Sequence, residues 1–263
     1  MNQVGILGCG WLGTPLAAAL KELDFSVRAS RTSAAGALNL EAEGFESYQV
    51  LVTQTEIQGA TSFFDSLEQI VISLPPGRKA AFGFSEKIKT LVECLESNTR
   101  CRILFLSSIS VYGQTGIFEE SSSLSPQSQS ALELQKSEQI LLNSRAQVVI
   151  IRLGGLIGSD RNPIFHLINK PISNPKGRIN FIHQKDAIRG IVHLIKQPEL
   201  KGIYNLVCPH HPEREEYYKK MAQKFNLSAP VFQIDDAAQK RVVKAAKIQE
   251  HTGFEYQVDN LLT

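Results

Sequence analysis

Val4-Gly5-Ile6-Leu7-Gly8-Cys9-Gly10-Trp11-Leu12-Gly13 is the stretch from which the fold of this chain is read. Val4 to Leu7 is a short apolar run that favours a β-strand. The segment after the glycines, Thr14-Pro15-Leu16-Ala17-Ala18-Ala19-Leu20, favours a helix. Strand, glycine turn and helix in this order form a dinucleotide-binding unit, in which each glycine has its own task. Gly8 permits the tight turn, Gly10 lets the backbone approach a pyrophosphate, and Gly13 lets helix and strand pack closely. The new helix points its free amides at the phosphates, and Trp11 and Leu12 share that loop. Pro15 falls inside the first helical turn, where its missing N–H costs little. A purely structural turn between strand and helix is the other reading of such a string.

Outward from this unit the period of the apolar residues keeps switching between two and 3.6, as alternating strands and helices require. Residues 25–29 read as the second strand and residues 34–42 as a helix. In a dinucleotide fold an Asp or Glu at the end of the second strand holds the ribose 2′-hydroxyl, whereas an Arg accommodates a 2′-phosphate. Here the place belongs to Ser30-Arg31-Thr32, with no carboxylate. Ser30 and Arg31 therefore read as a phosphate clamp, with NADP preferred to NAD; a solvated loop arginine is the alternative.

Residues 48–52 give a third strand and residues 70–74 a fourth, which ends at Pro75-Pro76-Gly77. Ligands of doubly wound sheets lie across the carboxyl ends of the strands where the strand order switches, so Leu74 and Pro75 are expected to border the cofactor. Residues 79–95 form an amphipathic helix with Phe82, Ile88, Leu91, Val92 and Leu95 in one stripe, facing either the core or a second copy in a homodimer. The fifth strand, residues 103–106, runs into Ser107-Ser108-Ile109-Ser110-Val111-Tyr112-Gly113, a set of hydroxyls at a strand's carboxyl end. A polar loop over residues 119–130, a helix over 132–142 and a sixth strand over 147–153 follow, then Gly154-Gly155-Leu156-Ile157-Gly158 and the turn Ser159-Asp160-Arg161-Asn162-Pro163. Beyond lie a short helix (164–169), a strand (178–182), a helix (186–195), a last sheet strand (202–207) and helices over 215–225 and 237–250. This alternation defines an α/β fold, a doubly wound, largely parallel sheet. Residues 1–158 carry the nucleotide-binding part and residues 159–263 a smaller C-terminal, substrate-side portion, of which 178–207 rejoins the core.

The 263 residues suffice for a large core, and a formal net charge of +2 with 21% charged residues leaves no basic tail or stripe for nucleic acid. Cys9, Cys94, Cys101 and Cys208 lack the spacing of a zinc site. No apolar stretch is long enough for a bilayer, and no secretory signal precedes the first strand, so reduced thiols in a cytoplasm are expected.

The glycine loop, Ser107-Ser108-Ile109-Ser110-Val111-Tyr112-Gly113, Arg152-Leu153-Gly154-Gly155-Leu156-Ile157-Gly158 and Ile182-His183-Gln184-Lys185-Asp186 resemble, in that order, the extended short-chain dehydrogenase/reductases, the NAD-dependent epimerase/dehydratase family. The resemblance implies a single Rossmann domain with a small carboxy-terminal substrate portion, an NADP or NAD cofactor held partly by Ser107, and a catalytic hydroxyl on Ser108, four residues before Tyr112. Two departures stand out. GxGxxG in place of GxxGxxG is similar to the atypical branch, and the family's Tyr-x-x-x-Lys is missing from the helix after the polar loop. Alignment on Glu138-Gln139 puts Ser130 and Leu134 in its two places; alignment on Lys136 keeps a lysine but puts Leu132 at the tyrosine. That dyad lets a tyrosine exchange a proton with the substrate oxygen, which neither serine nor leucine does. Tyr112 is the remaining candidate relay, with packing as its other reading, and His183 is either a structural histidine or a substrate contact. The expected function is an oxidoreductase or epimerase acting on a small hydroxylated or carbonyl molecule, with a non-catalytic dinucleotide sensor or scaffold as the alternative.

Overall fold

The first strand, β1 (Gln3–Leu7), buries Val4, Ile6 and Leu7 completely or nearly so and becomes the middle of an eight-stranded sheet. In the computed structural model, which describes residues 3–77, 82–96, 101–168, 170–233 and 240–263, the chain continues as α1 (Gly13–Lys21), β2 (Ser26–Arg31), α2 (Ala34–Ala42), β3 (Glu46–Val52), β4 (Ile57–Gly59) and β5 (Gln69–Ile72). There follow α3 (Phe84–Glu96), β6 (Arg102–Ser108), β7 (Gly116–Phe118), α4 (Gln129–Leu142), β8 (Val148–Leu153), β9 (Gly155–Ile157) and α5 (Ile164–Leu167). The last elements are β10 (Phe181–His183), α6 (Gln184–Ile195), β11 (Gly202–Leu206), α7 (Arg214–Lys224), β12 (Arg241–Val243) and α8 (Ala246–Thr252).

Strand order is β11-β8-β6-β5-β1-β2-β3-β4, and every pairing is parallel except that of β3 with β4 at one edge. β5 and β8 are buried along their whole length, as strands covered on both faces must be. Alternation along the strands divides the core in two. Val71, Leu104 and Val149 pack with Leu16 of α1 and Ile191 of α6 on one face. Ile70, Ile72, Ile103, Phe105 and Ile150 pack with Ile88 and Leu91 of α3 and Leu134 and Leu141 of α4 on the other. A third cluster gathers Ile164, Ile172, Ile179, Tyr217, Tyr218 and Met221 from the C-terminal part.

The order of strands reverses between β1 and β5, so the turns that leave these two strands diverge and open a crevice at their carboxyl ends. The expected doubly wound, largely parallel α/β sheet is therefore present.

Some element boundaries differ from the sequence reading. The stripe ascribed to a helix over 79–95 belongs to α3, and its first member is Phe84; Phe82 precedes the helix and is 73% exposed. Residues 79–81 lie outside the described residues. The stripe is spent inside the chain against α4 and the sheet. The final helix is α8, beginning at Ala246, because β-favouring Arg241-Val242-Val243 pairs with β7 instead; residues 237–239 of the expected helix are outside the description. The strand expected at 178–182 is β10, paired in parallel with β9, and α5 ends at Leu167, with Asn169 outside the described residues.

Candidate cofactor and active site

Gly8 leaves β1 with φ +100°, a conformation that favours glycine. Its N–H donates to Ser30 Oγ (3.2 Å) and Cys9 N–H donates to the Ser30 carbonyl (2.9 Å), so buried Ser30 fastens the loop to the end of β2. A Cβ on Gly13 would stand 2.5 Å from the Gly8 carbonyl oxygen, whereas one on Gly10 would meet nothing within 4 Å. Gly13 is thus demanded by the protein's own packing, and Gly10 borders open space. No side chain caps α1; Thr14 N–H donates to the Gly10 carbonyl (3.0 Å) and Pro15 has no N–H, so Leu12 and Gly13 are the residues at its start whose amides have no partner among the described residues. Burial pushes the Cys9 thiol up to about 12, which keeps it protonated and unreactive inside the loop.

The loop forms one wall of a crevice of about 390 Å³. Gly10, Trp11 and Leu12 meet there with Ser73, Leu74 and Pro75 from the turn after β5, Ser107 and Ser108 from the end of β6, Leu134 from α4, Gly154 and Leu156 after β8, and Arg161. Seven of the residues singled out by the sequence, Gly10, Trp11, Leu12, Leu74, Pro75, Ser107 and Ser108, are brought together in this space. Ser108 Oγ accepts from Ser110 N–H (3.1 Å), which leaves its own proton to donate into the crevice.

Below the crevice floor lies a buried polar network. Ser107 Oγ donates to Glu138 Oε1 (2.6 Å), and Arg152 donates to the same carboxylate through Nε (3.1 and 3.2 Å) and Nη2 (2.6 Å). Arg152 Nη1 also donates to Tyr112 Oη (2.8 Å), and Tyr112 donates onward to Asn205 Oδ1 (2.9 Å). Tyr112 does not line the crevice, and burial raises its phenol above the ordinary range. Its hydroxyl is engaged under the floor.

Arg31 stands at the end of β2, outside the crevice proper, with its side chain crossing the start of α2. A Cβ on Gly36 would come 3.0 Å from Arg31 Cβ, so glycine makes room for the crossing. Arg31 Nε is buried and has no hydrogen-bond partner among the described residues. Such an orphan donor at this place fits an anionic group.

Leu134 is the residue of α4 that reaches the crevice; Lys136 pairs with Glu133 (3.1 Å) and does not line it. His183 caps α6, its Nδ1 accepting from Lys185 N–H (3.2 Å), and borders a separate cavity of about 480 Å³ with Lys185 and Lys224. Burial and Lys185 hold its imidazole below the usual value.

A cluster around Trp11 has no signal in the local sequence. Trp11 Nε1 donates to both carboxylate oxygens of Asp160 (3.0 Å each), Arg161 Cζ lies 4.9 Å from the indole ring, and Gln184 Nε2 donates to the Trp11 carbonyl (2.8 Å). Gly158 is needed here, since a Cβ would come 2.8 Å from the indole.

A parallel sheet with a glycine loop after its first strand, a switch point and serines at the end of β6 is the fold of the atypical and extended short-chain dehydrogenase/reductases, to which the NAD-dependent epimerases and dehydratases belong. The chain belongs to the same family as Protein YeeZ of Escherichia coli (strain K12), with which it shares 32% identity over 265 residues, 98% of this chain and 96% of that protein. No protein-family model matches it. UDP-N-acetylglucosamine 4-epimerase from Bacillus cereus superposes with a TM-score of 0.81 at 15% identity, over 100% of this chain and 96% of that one. The Bordetella bronchiseptica enzyme WbmG, crystallised with NAD and UDP, gives 0.80 at 16% identity, over 99% and 90% respectively.

Proposed function

We propose that the protein binds a nicotinamide dinucleotide along the crevice and acts as an oxidoreductase or epimerase on a small hydroxylated or carbonyl compound. One observation carries the reading: the glycine loop, the turn after β5 and the serines ending β6 meet in a single space at the switch point of the sheet. The fit of a dinucleotide rests on the open space at Gly10 and the unpartnered Nε of Arg31. Gly8, Gly10, Trp11, Leu12 and Gly13 would hold the pyrophosphate, Arg31 a 2′-phosphate, and Leu74, Pro75 and Ser107 the remainder. NADP is on this basis preferred to NAD.

When bound, the nicotinamide supplies the hydride acceptor or donor. Ser108 directs its free hydroxyl proton to the substrate oxygen, and Ser107, its own proton committed to Glu138, offers lone pairs beside it. Leu134 and Leu156 keep water from that end of the crevice. Tyr112 and Arg152 position the floor rather than exchange protons with substrate. WbmG carries UDP in its crystal structure, which makes nucleotide sugars the first compounds to try.

The test is a screen of aldehydes, ketones and nucleotide sugars with both dinucleotides, run on the parent protein and on Ser108→Ala. Loss of this donor should slow turnover by about 10²-fold and leave dinucleotide affinity unchanged. A turnover indifferent to Ser108→Ala removes Ser108 from the mechanism. A second reading, a non-catalytic sensor or scaffold, is favoured by one feature: Arg161 is the one ionisable group among the described residues lining the crevice, so no acid or base of ordinary strength faces the substrate. Tight dinucleotide binding with no turnover across the screen selects that reading.

A further inference from the structure

We infer that Arg161 is an anion clamp that reaches over the glycine loop from the C-terminal part of the chain and holds the pyrophosphate of the bound dinucleotide. This rests on the dinucleotide reading above and assigns a residue that the glycine motif does not contain.

Arg161 is exposed, lines the crevice beside Gly10, Trp11 and Leu12, and is the one charged residue among the described residues that do so. Four other arginines, Arg28, Arg152, Arg178 and Arg189, each pair with a carboxylate; no ion pair to Arg161 is found among the described residues. The neighbouring carboxylate, Asp160, accepts the Trp11 indole N–H with both oxygens and forms no ion pair with Arg161 among the described residues. Arg161 Cζ instead lies over the Trp11 ring, 4.9 Å from its centre, and its guanidinium N–H groups make no hydrogen bond among the described residues. The backbone holds this pose: Gly158 N–H donates to the Arg161 carbonyl (2.8 Å) and Arg161 N–H to the Gly158 carbonyl (3.3 Å), closing a tight turn. Gln184, at the start of α6, ties the Trp11 carbonyl to the same region. The turn, the indole and the loop therefore form one unit in which a planar cation is held, without an anionic partner, beside the open space at Gly10. A diphosphate with charge on both phosphoryl groups is the ligand that such a planar fork matches.

The competing role is cover for the indole, which an aliphatic side chain would also provide. Calorimetric titration of NADPH and of ADP-ribose, which keeps the pyrophosphate and lacks the nicotinamide, separates the two roles in the parent protein, Arg161→Leu and Arg161→Lys. A clamp predicts that Arg161→Leu weakens both ligands by a similar factor of roughly 10–100, that Arg161→Lys recovers part of the loss, and that the parent's advantage over Arg161→Leu shrinks at high salt. Circular dichroism and thermal melting establish that the variants are folded. Affinities in Arg161→Leu equal to the parent's, or a loss confined to NADPH, would overturn the clamp while the dinucleotide reading stands. A parent protein that binds neither ligand defeats that reading and the clamp with it.

Discussion

Replacing Glu138 by alanine removes the acceptor at the centre of the network under the crevice. The side chains of Glu138 and Arg152 are 2% and 3% exposed, and the carboxylate accepts from Ser107 Oγ at 2.6 Å and from Arg152 Nη2 at 2.6 Å as well as from Arg152 Nε. After truncation the guanidinium keeps Tyr112 Oη and the Glu120 carbonyl (3.4 Å) but no counter-charge. An uncompensated buried charge of this kind costs about 3–5 kcal/mol, which is a large share of the roughly 5–15 kcal/mol that holds a folded protein. The chain supplies its own control in Lys219–Glu215, a pair at 2.5 Å whose side chains are 57% and 41% exposed. Glu215→Ala should cost no more than about 1 kcal/mol. Urea unfolding followed by far-ultraviolet circular dichroism, at constant slope with denaturant, measures both. The double change Glu138→Leu with Arg152→Met should recover most of the single loss, since a well-packed apolar pair replaces an ion pair at little cost. A Glu138→Ala protein no less stable than Glu215→Ala would refute the reasoning.

Two further predictions concern Arg31 and two histidines that do not line the crevice, His183 and His211. Arg31→Ala should remove most of a preference for NADPH over NADH, worth roughly 1.5–3 kcal/mol for a charge-assisted contact to the orphan Nε; equal affinities of the parent protein for the two in a fluorescence titration would dismiss Arg31 as a phosphate ligand. His183 and His211 are both held below the usual histidine value, chiefly by burial. The unfolded chain then binds protons that the folded one refuses, so the stability they contribute is full above the unfolded value of about 6.5 and is lost as pH falls through it towards the folded values. His211→Asn should flatten the decline of the urea midpoint over that window, and an unaltered decline would assign it to other groups.

The central sheet was legible because its strands are continuous apolar runs and its glycine loop is a local signal. Ile103 to Leu106 and Val148 to Leu153 announce buried strands without help from the rest of the chain. β4, β7, β9 and β12 were missed for the opposite reason. Each is three residues long, and β12 finds its partner β7 more than a hundred positions away, where no periodicity extends. Phe82 stands six residues before Ile88, off the three- and four-residue spacing of the stripe, whereas Phe84 stands four before it and fits; a strict reading of the helical period selects Phe84. In the site, Ser107 and Ser108 were readable from their position after an apolar strand, and both line the crevice. Arg161 was not, because what places it is its contact with Trp11, whose hydrogen-bond partner Asp160 is 149 residues along the chain. The different hydrogen bonds of the two serines, Ser107 to Glu138 and Ser108 from Ser110, are likewise contacts that spacing cannot reveal.

Trp11 is the one tryptophan of the sequence and stands in the glycine loop, so its emission reports on the site directly. The measurement that bears most closely on dinucleotide binding is a titration of NADPH and NADH into the parent protein and into Gly10→Val, followed by that emission. A Cβ at Gly10 meets no protein atom within 4 Å, so the valine protein should fold as the parent does while its side chain fills the space a pyrophosphate needs. The account predicts saturable binding by the parent and its loss, by at least about tenfold, in the Gly10→Val protein. Equal binding by the two proteins, or none by the parent, would contradict it.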